Sequence, residues 1–167
     1  MHDELTAVDI RKMQEEIDYR ETELRARLIE DVQTARAFGD LSENFEYKAA
    51  KQAKNKNESR IRYLKRMIAS AVVIEGKSEA DEVGLFDRVT LFMEDENEEE
   101  VITLVTTLRQ NPMKGLISKE SPVGQAVLGH KVGERVFVQI GERGGYWAEI
   151  RAIEKGVDDD TMEIAPY

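Results

Sequence analysis

The chain has 167 residues, room for one large domain or two small ones, with 41% hydrophobic and 35% charged residues and a formal net charge of −10. It contains no cysteine, which excludes disulfides and thiolate chemistry. No run approaches the roughly 20 apolar residues of a membrane span, and the acidic start at Asp3 and Glu4 has no apolar signal region, so a cytoplasmic protein is expected.

The charge is uneven. Residues 1–75 hold 14 Lys and Arg against 15 Asp and Glu, whereas residues 76–167 hold 10 against 19. Non-specific binding to duplex DNA by the second half is disfavoured on that ground.

Ile10, Met13, Ile17, Leu24, Leu28, Val32, Ala35 and Phe38 fall mostly at three- and four-residue steps, with one break in the seam at Arg20-Glu21. No Gly or Pro interrupts them, so the pattern predicts one helix over residues 8–38, roughly 45 Å long. Gly39 is a natural stop, and Asp40 or Ser42 a natural cap for the next helix. That helix is predicted over 42–70, on a seam of Phe45, Ala49, Ala53, Ile61, Leu64 and Ile68. Between Lys51 and Arg60 the only apolar side chain is Ala53. So thin a seam, with so short a break, predicts an antiparallel coiled-coil hairpin rather than a multi-helix bundle.

Charge separates along this arm. The second helix carries Lys48, Lys51, Lys54, Lys56, Arg60, Arg62, Lys65 and Arg66, opposed in that span only by Glu58. The first is acid-rich, with Glu15, Glu16, Asp18, Glu21 and Glu23. Two readings stay open: pairing between the helices, which is weak for exposed charges, and a strip that tracks phosphates.

Residues 76–84 read as a linker. Beyond them the period changes to two, giving strands over 86–93 and 101–108 around an acidic turn at Glu94 to Glu100. Ser121-Pro122 opens a short helix that Gly129 ends. Strands follow at 135–140 and 146–153, with a weaker one at 162–164. The expected class is α+β: an arm over residues 1–75, a linker over 76–84, and an antiparallel sheet with one short helix over 85–167.

His2 and His130 lie in different predicted domains, and no Gly-rich phosphate loop or zinc spacing occurs, so a self-contained enzyme site is hard to build. Asp40 and Glu43 remain. Asp-x-x-Glu is the spacing of a capping box, and on spacing alone the cap leads. Against it, Ser42 is a competing cap, and a turn needs no pair of acids. Two carboxylates are also half of a magnesium site, whose other ligands a host enzyme would have to supply.

The stretch Ala37-Phe38-Gly39-Asp40-Leu41-Ser42-Glu43-Asn44-Phe45-Glu46-Tyr47-Lys48-Ala49-Ala50-Lys51 resembles the coiled-coil tip of the bacterial Gre transcript cleavage factors. Ile117-Ser118-Lys119-Glu120-Ser121-Pro122-Val123-Gly124 and Leu128-Gly129-His130-Lys131-Val132-Gly133 resemble their second domain, in the same order. The resemblance implies an FKBP-like C-terminal domain and insertion of the arm into the secondary channel of bacterial RNA polymerase. There Asp40 and Glu43 would help hold a Mg2+ shared with the polymerase, not stably bound by the factor alone. The polymerase would then cleave backtracked nascent RNA near its 3′ end. Ser42, Asn44, Tyr47, Lys48 and Lys51 become tip and RNA contacts, and Ser118, Lys119, Glu120, Ser121 and Pro122 a polymerase-docking loop. The factor is then a monomer and no enzyme by itself.

The alternative is a regulator that occupies the same channel and inhibits without cleavage. A prolyl isomerase is a third class, but Phe86, Phe92, Phe137, Tyr146 and Trp147 sit at strand periods, where core packing is expected. Three features depart from the family pattern: Phe45 where a small residue is commoner, the polar stretch 51–60, and a longer tail with Asp158-Asp159-Asp160.

Overall fold

The structure, a computed structural model, describes residues 3–39, 44–158 and 161–165. It divides into two units. The first is formed by the described residues of Ile10–Ala71; the second combines Glu4–Asp9 with the described residues from Val72 onward.

In chain order the elements are β1 (Glu4–Leu5), α1 (Ala7–Tyr19), a π turn (Arg20–Leu24), α2 (Arg25–Arg36), α3 (Phe45–Ser70) and β2 (Val72–Val73). After them come β3 (Arg88–Met93), β4 (Glu98–Val105), β5 (Leu116–Ser118), α4 (Pro122–Val127), β6 (Arg135–Ile140) and β7 (Gly144–Glu154).

The first unit is a helical hairpin. Glu16 pairs with Arg60, Arg25 with Glu58, and Arg36 with Tyr47, so the partner number falls as the first helix advances and the strands of the hairpin run antiparallel. The predicted single helix is continuous but not uniformly α. At the predicted break in the seam the Arg25 N–H bonds the Arg20 carbonyl, an i to i+5 step. The same carbonyl accepts the Asn57 side-chain amide at 3.2 Å, and Arg20 Nη1 donates back to Asn57 Oδ1 at 2.9 Å.

The polar stretch 51–60 is therefore built into the hairpin by charge and amide pairing. Asn57 and Arg60 are buried there, Arg60 grips Glu16 with two bonds of 3.0 and 3.1 Å, and Arg25 grips Glu58 at 2.7 and 2.8 Å. Burial pushes the Glu16 carboxyl up, but hydrogen bonds from Arg60 and Arg20 outweigh it and hold Glu16 below its ordinary value. Among the described residues of the hairpin, the buried apolar side chains are Met13, Ile17, Ala35, Ile61 and Leu64. Ala49 and Ala53, predicted on the seam, are exposed.

The second unit is a five-stranded sheet of order β5-β4-β3-β7-β6, with a separate two-stranded parallel pair of β1 and β2. The sheet is mixed, which corrects the antiparallel expectation. Two short 3-10 turns, Thr107–Arg109 and Pro112–Lys114, carry the chain back so that β5 runs parallel to β4. The acidic turn is also shorter than expected. Glu98, Glu99 and Glu100 pair with Met93, Phe92 and Leu91, and the reversal is left to residues 94–97, with Asn97 in left-handed backbone. No strand forms at 162–164; Met162 instead packs against Leu85, Phe86 and Val105.

Alternation puts Val89, Leu91, Met93, Ile102, Leu104, Val136, Ala148 and Ile150 on one face, where Val83 and Val127 of α4 complete the core. Val83 belongs to the predicted linker. That stretch is fastened down: the Val83 N–H bonds His130 O, and Lys155 Nζ bonds Ser78 Oγ, the carbonyls of Glu79 and Glu82, and buried Asp87.

The two ends of this unit meet at Arg109, which is fully buried. Its Nε donates to Asp9 Oδ1 at 2.6 Å, its Nη2 to Asp158 Oδ2 at 2.8 Å, and its Nη1 pairs with Asp158 Oδ1. Thr6 and Asp9 form a capping box at the start of α1, through the Thr6 N–H to Asp9 Oδ2 and the Asp9 N–H to Thr6 Oγ1.

Candidate functional site

Asp40, Ser42 and Glu43 lie outside the described residues, so the tip is defined by what brackets them. Gly39 ends the first arm with φ of +128°, a backbone open to glycine at little cost. On the other side Asn44, not Asp40 or Ser42, caps α3: its Oδ1 accepts the Tyr47 N–H at 3.0 Å. Its Nδ2 donates to the Ala35 carbonyl at 2.7 Å, which ties the end of α2 to the start of α3. The predicted RNA contact Asn44 is thus engaged within the hairpin end, by the Tyr47 N–H and the Ala35 carbonyl.

Tyr47 is half-buried beside Arg36, which reaches its hydroxyl at 3.5 Å and lies 5.6 Å from the ring centroid. Arg36 above all, with Lys51 and Lys54, holds the Tyr47 phenol below its ordinary value despite burial. Lys48 and Lys51 are exposed. Arg36, Phe38 and Phe45 were not among the predicted contacts; Phe38 is 71% exposed and Phe45 81%. Their seam positions read as core, because periodicity does not reveal where a hairpin runs out of partners.

The basic strip is mixed: Arg60 pairs with Glu16 and Lys65 with Glu21, and these two serve the hairpin. Lys48, Lys51, Lys56 and Arg62 are exposed.

In the docking loop, Ser118 is buried and its Oγ lies 2.8 Å from Thr107 Oγ1. Ser121 caps α4, its Oγ accepting the Gly124 N–H at 3.0 Å while donating to Ser118 O at 2.7 Å. A Cβ on Gly124 would overlap that same Ser118 carbonyl, so only glycine lets α4 sit there. Lys119 pairs with Glu4. Glu120 and Pro122 are the two members that face solvent.

The aromatics of the sheet unit are dispersed. Phe86 is buried, and Phe92 lies under the Arg151 guanidinium at 4.0 Å. Phe137 and Trp147 are not core as predicted: they stack edge-on at 5.1 Å on the outer face, with Arg135 4.0 Å above Trp147. The depression lined by Met93, Asp95, Glu96, Glu100 and Tyr146 has three acids and one aromatic, unlike a proline pocket. His130 is exposed and bonds Glu134 at 2.5 Å. Among the described residues no helix is long and apolar enough to cross a membrane.

Two family models match in succession: "Transcription elongation factor, N-terminal" over residues 4–73 and "Transcription elongation factor, GreA/GreB, C-term" over residues 77–155. The chain is 43% identical over 137 residues to transcription elongation factor GreA of Caldanaerobacter subterraneus, covering 81% of this chain and 87% of that one. It is 36% identical over 152 residues to GreA of Oenococcus oeni, covering 90% and 94%. Among solved structures, that of the transcription factor Gfh1 aligns with a TM-score of 0.45 at 26% identity, over 92% of this chain and 97% of the other. Two consecutive models covering most of the sequence, and relatives this similar along nearly their whole length, lead to one conclusion: the chain belongs to the GreA/GreB transcription elongation factor family.

Proposed function

We propose that this protein inserts its hairpin into the secondary channel of bacterial RNA polymerase and stimulates the polymerase's own cleavage of backtracked nascent RNA. Family membership along nearly the whole chain carries this reading. The Asn44 cap is in keeping with it: the side chain that caps α3 at the Tyr47 N–H is neither of the two acids.

The donor chemistry suits a shared magnesium ion. Carboxylates are hard oxygen ligands, but two of them fall short of an octahedral shell. Among the described residues no group of three or more His, Asp or Glu could hold a metal. Asp40 and Glu43 would therefore supply part of the shell, and polymerase and RNA the rest. When bound, the ion supplies a water of lowered pKa for attack on the phosphodiester. This chain's part is to present the carboxylates on an arm, with Lys48, Lys51 and Tyr47 beside the RNA end. Glu120 and Pro122 face the polymerase rim, in a loop that Ser118, Lys119 and Ser121 hold in shape. The finer architecture belongs to the same reading: a coiled coil ahead of an FKBP-like domain, acting as a cytoplasmic monomer.

The test is cleavage in a purified backtracked elongation complex. Asp40→Ala and Glu43→Ala should each lower cleavage by at least about 100-fold, the upper range for groups that merely support a metal ligand, with polymerase binding retained. Unchanged cleavage in both variants would return the pair to a structural role.

A further inference from the structure

The most exposed aromatic side chain of the hairpin stands at the start of α3. Phe45 is the first residue of α3 and is 81% exposed. Lys48, one turn on, places its ammonium 5.7 Å from the ring centroid. Along the chain, residues 36–54 carry Arg36, Lys48, Lys51 and Lys54 against Asp40, Glu43 and Glu46.

The contrast with the sheet unit decides what such a ring is for. Phe137 and Trp147 are exposed too, but they stack on each other and Arg135 covers the indole. Their surfaces are already used within the fold. Phe45 has only the Lys48 ammonium near it among the ring contacts of the described residues. An open ring with a cation against it matches a ligand that has a flat π face and a negative charge, which is the chemistry of a nucleotide.

Resting on the function proposed above, we propose that Phe45 is a stacking platform for the unpaired base at the RNA 3′ end, with Lys48 holding the adjoining phosphate. Stacking strength grows with the π face, so the factor acts faster on a purine end than on a pyrimidine end. Phe45 is then a specificity-determining contact that leaves the metal chemistry to other residues.

The experiment uses the full chain and elongation complexes that differ only in the extruded 3′ nucleotide, with polymerase affinity measured separately by competition. The wild type should cleave purine ends at least about threefold faster, and Phe45→Ala should lose about tenfold on purine ends, close to one stacked base. Its loss on pyrimidine ends should be smaller and its polymerase affinity unchanged. Phe45→Trp should keep or widen the preference, and Lys48→Gln should slow both ends alike. A wild type without base preference, or a Phe45→Ala defect equal on every end, would overturn the stacking role while leaving the cleavage function intact. A wild type that cleaves nothing would overturn both.

Discussion

Arg60 in the hairpin and Arg109 in the sheet unit are both buried arginines, yet they solve different problems. Arg60 sits where the helical seam has no large apolar residue, and Glu16, Arg20 and Asn57 around it replace the missing core. Arg109 sits beside a complete apolar core and joins segments from both ends of the unit. Burial alone would push its guanidinium down; Asp158 and Asp9 more than reverse that and raise it. In the hairpin, then, charge substitutes for burial, whereas in the sheet unit charge is added to it. The two designs differ in what they lose when one partner goes, because a buried charge stripped of its partner is penalised most where water is furthest away.

The comparison can be sharpened because the protein has one tryptophan, Trp147, on β7. Its fluorescence reads the sheet unit, while far-UV circular dichroism is dominated by the hairpin. The largest effect is expected for Arg109→Leu, which leaves fully buried Asp9 without its cation. It should cost on the order of 3–5 kcal/mol, seen in denaturant unfolding followed by Trp147. Next comes Glu16→Gln, which removes the carboxylate from Arg60 and Arg20 and should cost about 2 kcal/mol in the dichroism transition. The fluorescence transition should not move; equal shifts in both would mean that the units do not unfold separately.

Acid should act in the same direction. Glu16 and Glu58 are held below their ordinary value of 4.5, the latter chiefly by the hydrogen bond from Arg25. Their contribution is complete above that value and is lost as pH falls through the depressed native ones. The helical melting temperature should therefore fall between pH 5 and about pH 3 in the wild type, and fall less in Glu16→Gln. The smallest effect is expected for Asn44→Ala, about 1 kcal/mol from the lost cap, together with fraying of the hairpin end in hydrogen exchange.

Much of this was legible in the sequence where a local rule governs. The period-two strands at 135–140 and 146–153, and the Ser-Pro start of α4, follow from alternation and capping chemistry alone. The break at Arg20-Glu21 was visible, but a missing apolar residue does not say that the helix will widen by one residue there. Parallel β5 was not legible, because its direction is set by two short turns with no periodic signal; nor was the pair of β1 and β2, whose partners lie far apart along the chain. Arg109 gave no signal for that last reason: its carboxylates lie 100 and 49 residues away. Asp158 reads in the sequence only as part of a longer acidic tail. At the tip the sequence points to Asp40 or Ser42 as the cap of α3 and passes over Asn44, which the structure puts there.

Closing one unit with residues from both ends has a practical outcome for anyone cutting this chain. A fragment spanning residues 77–155 would contain all five strands of the main sheet, yet it would lack Asp9, Thr6 and Asp158 together. Arg109 would then be expressed with none of these oxygen partners. During synthesis the same guanidinium must wait for Asp158, made later than Arg109, to complete a site that Thr6 and Asp9 began.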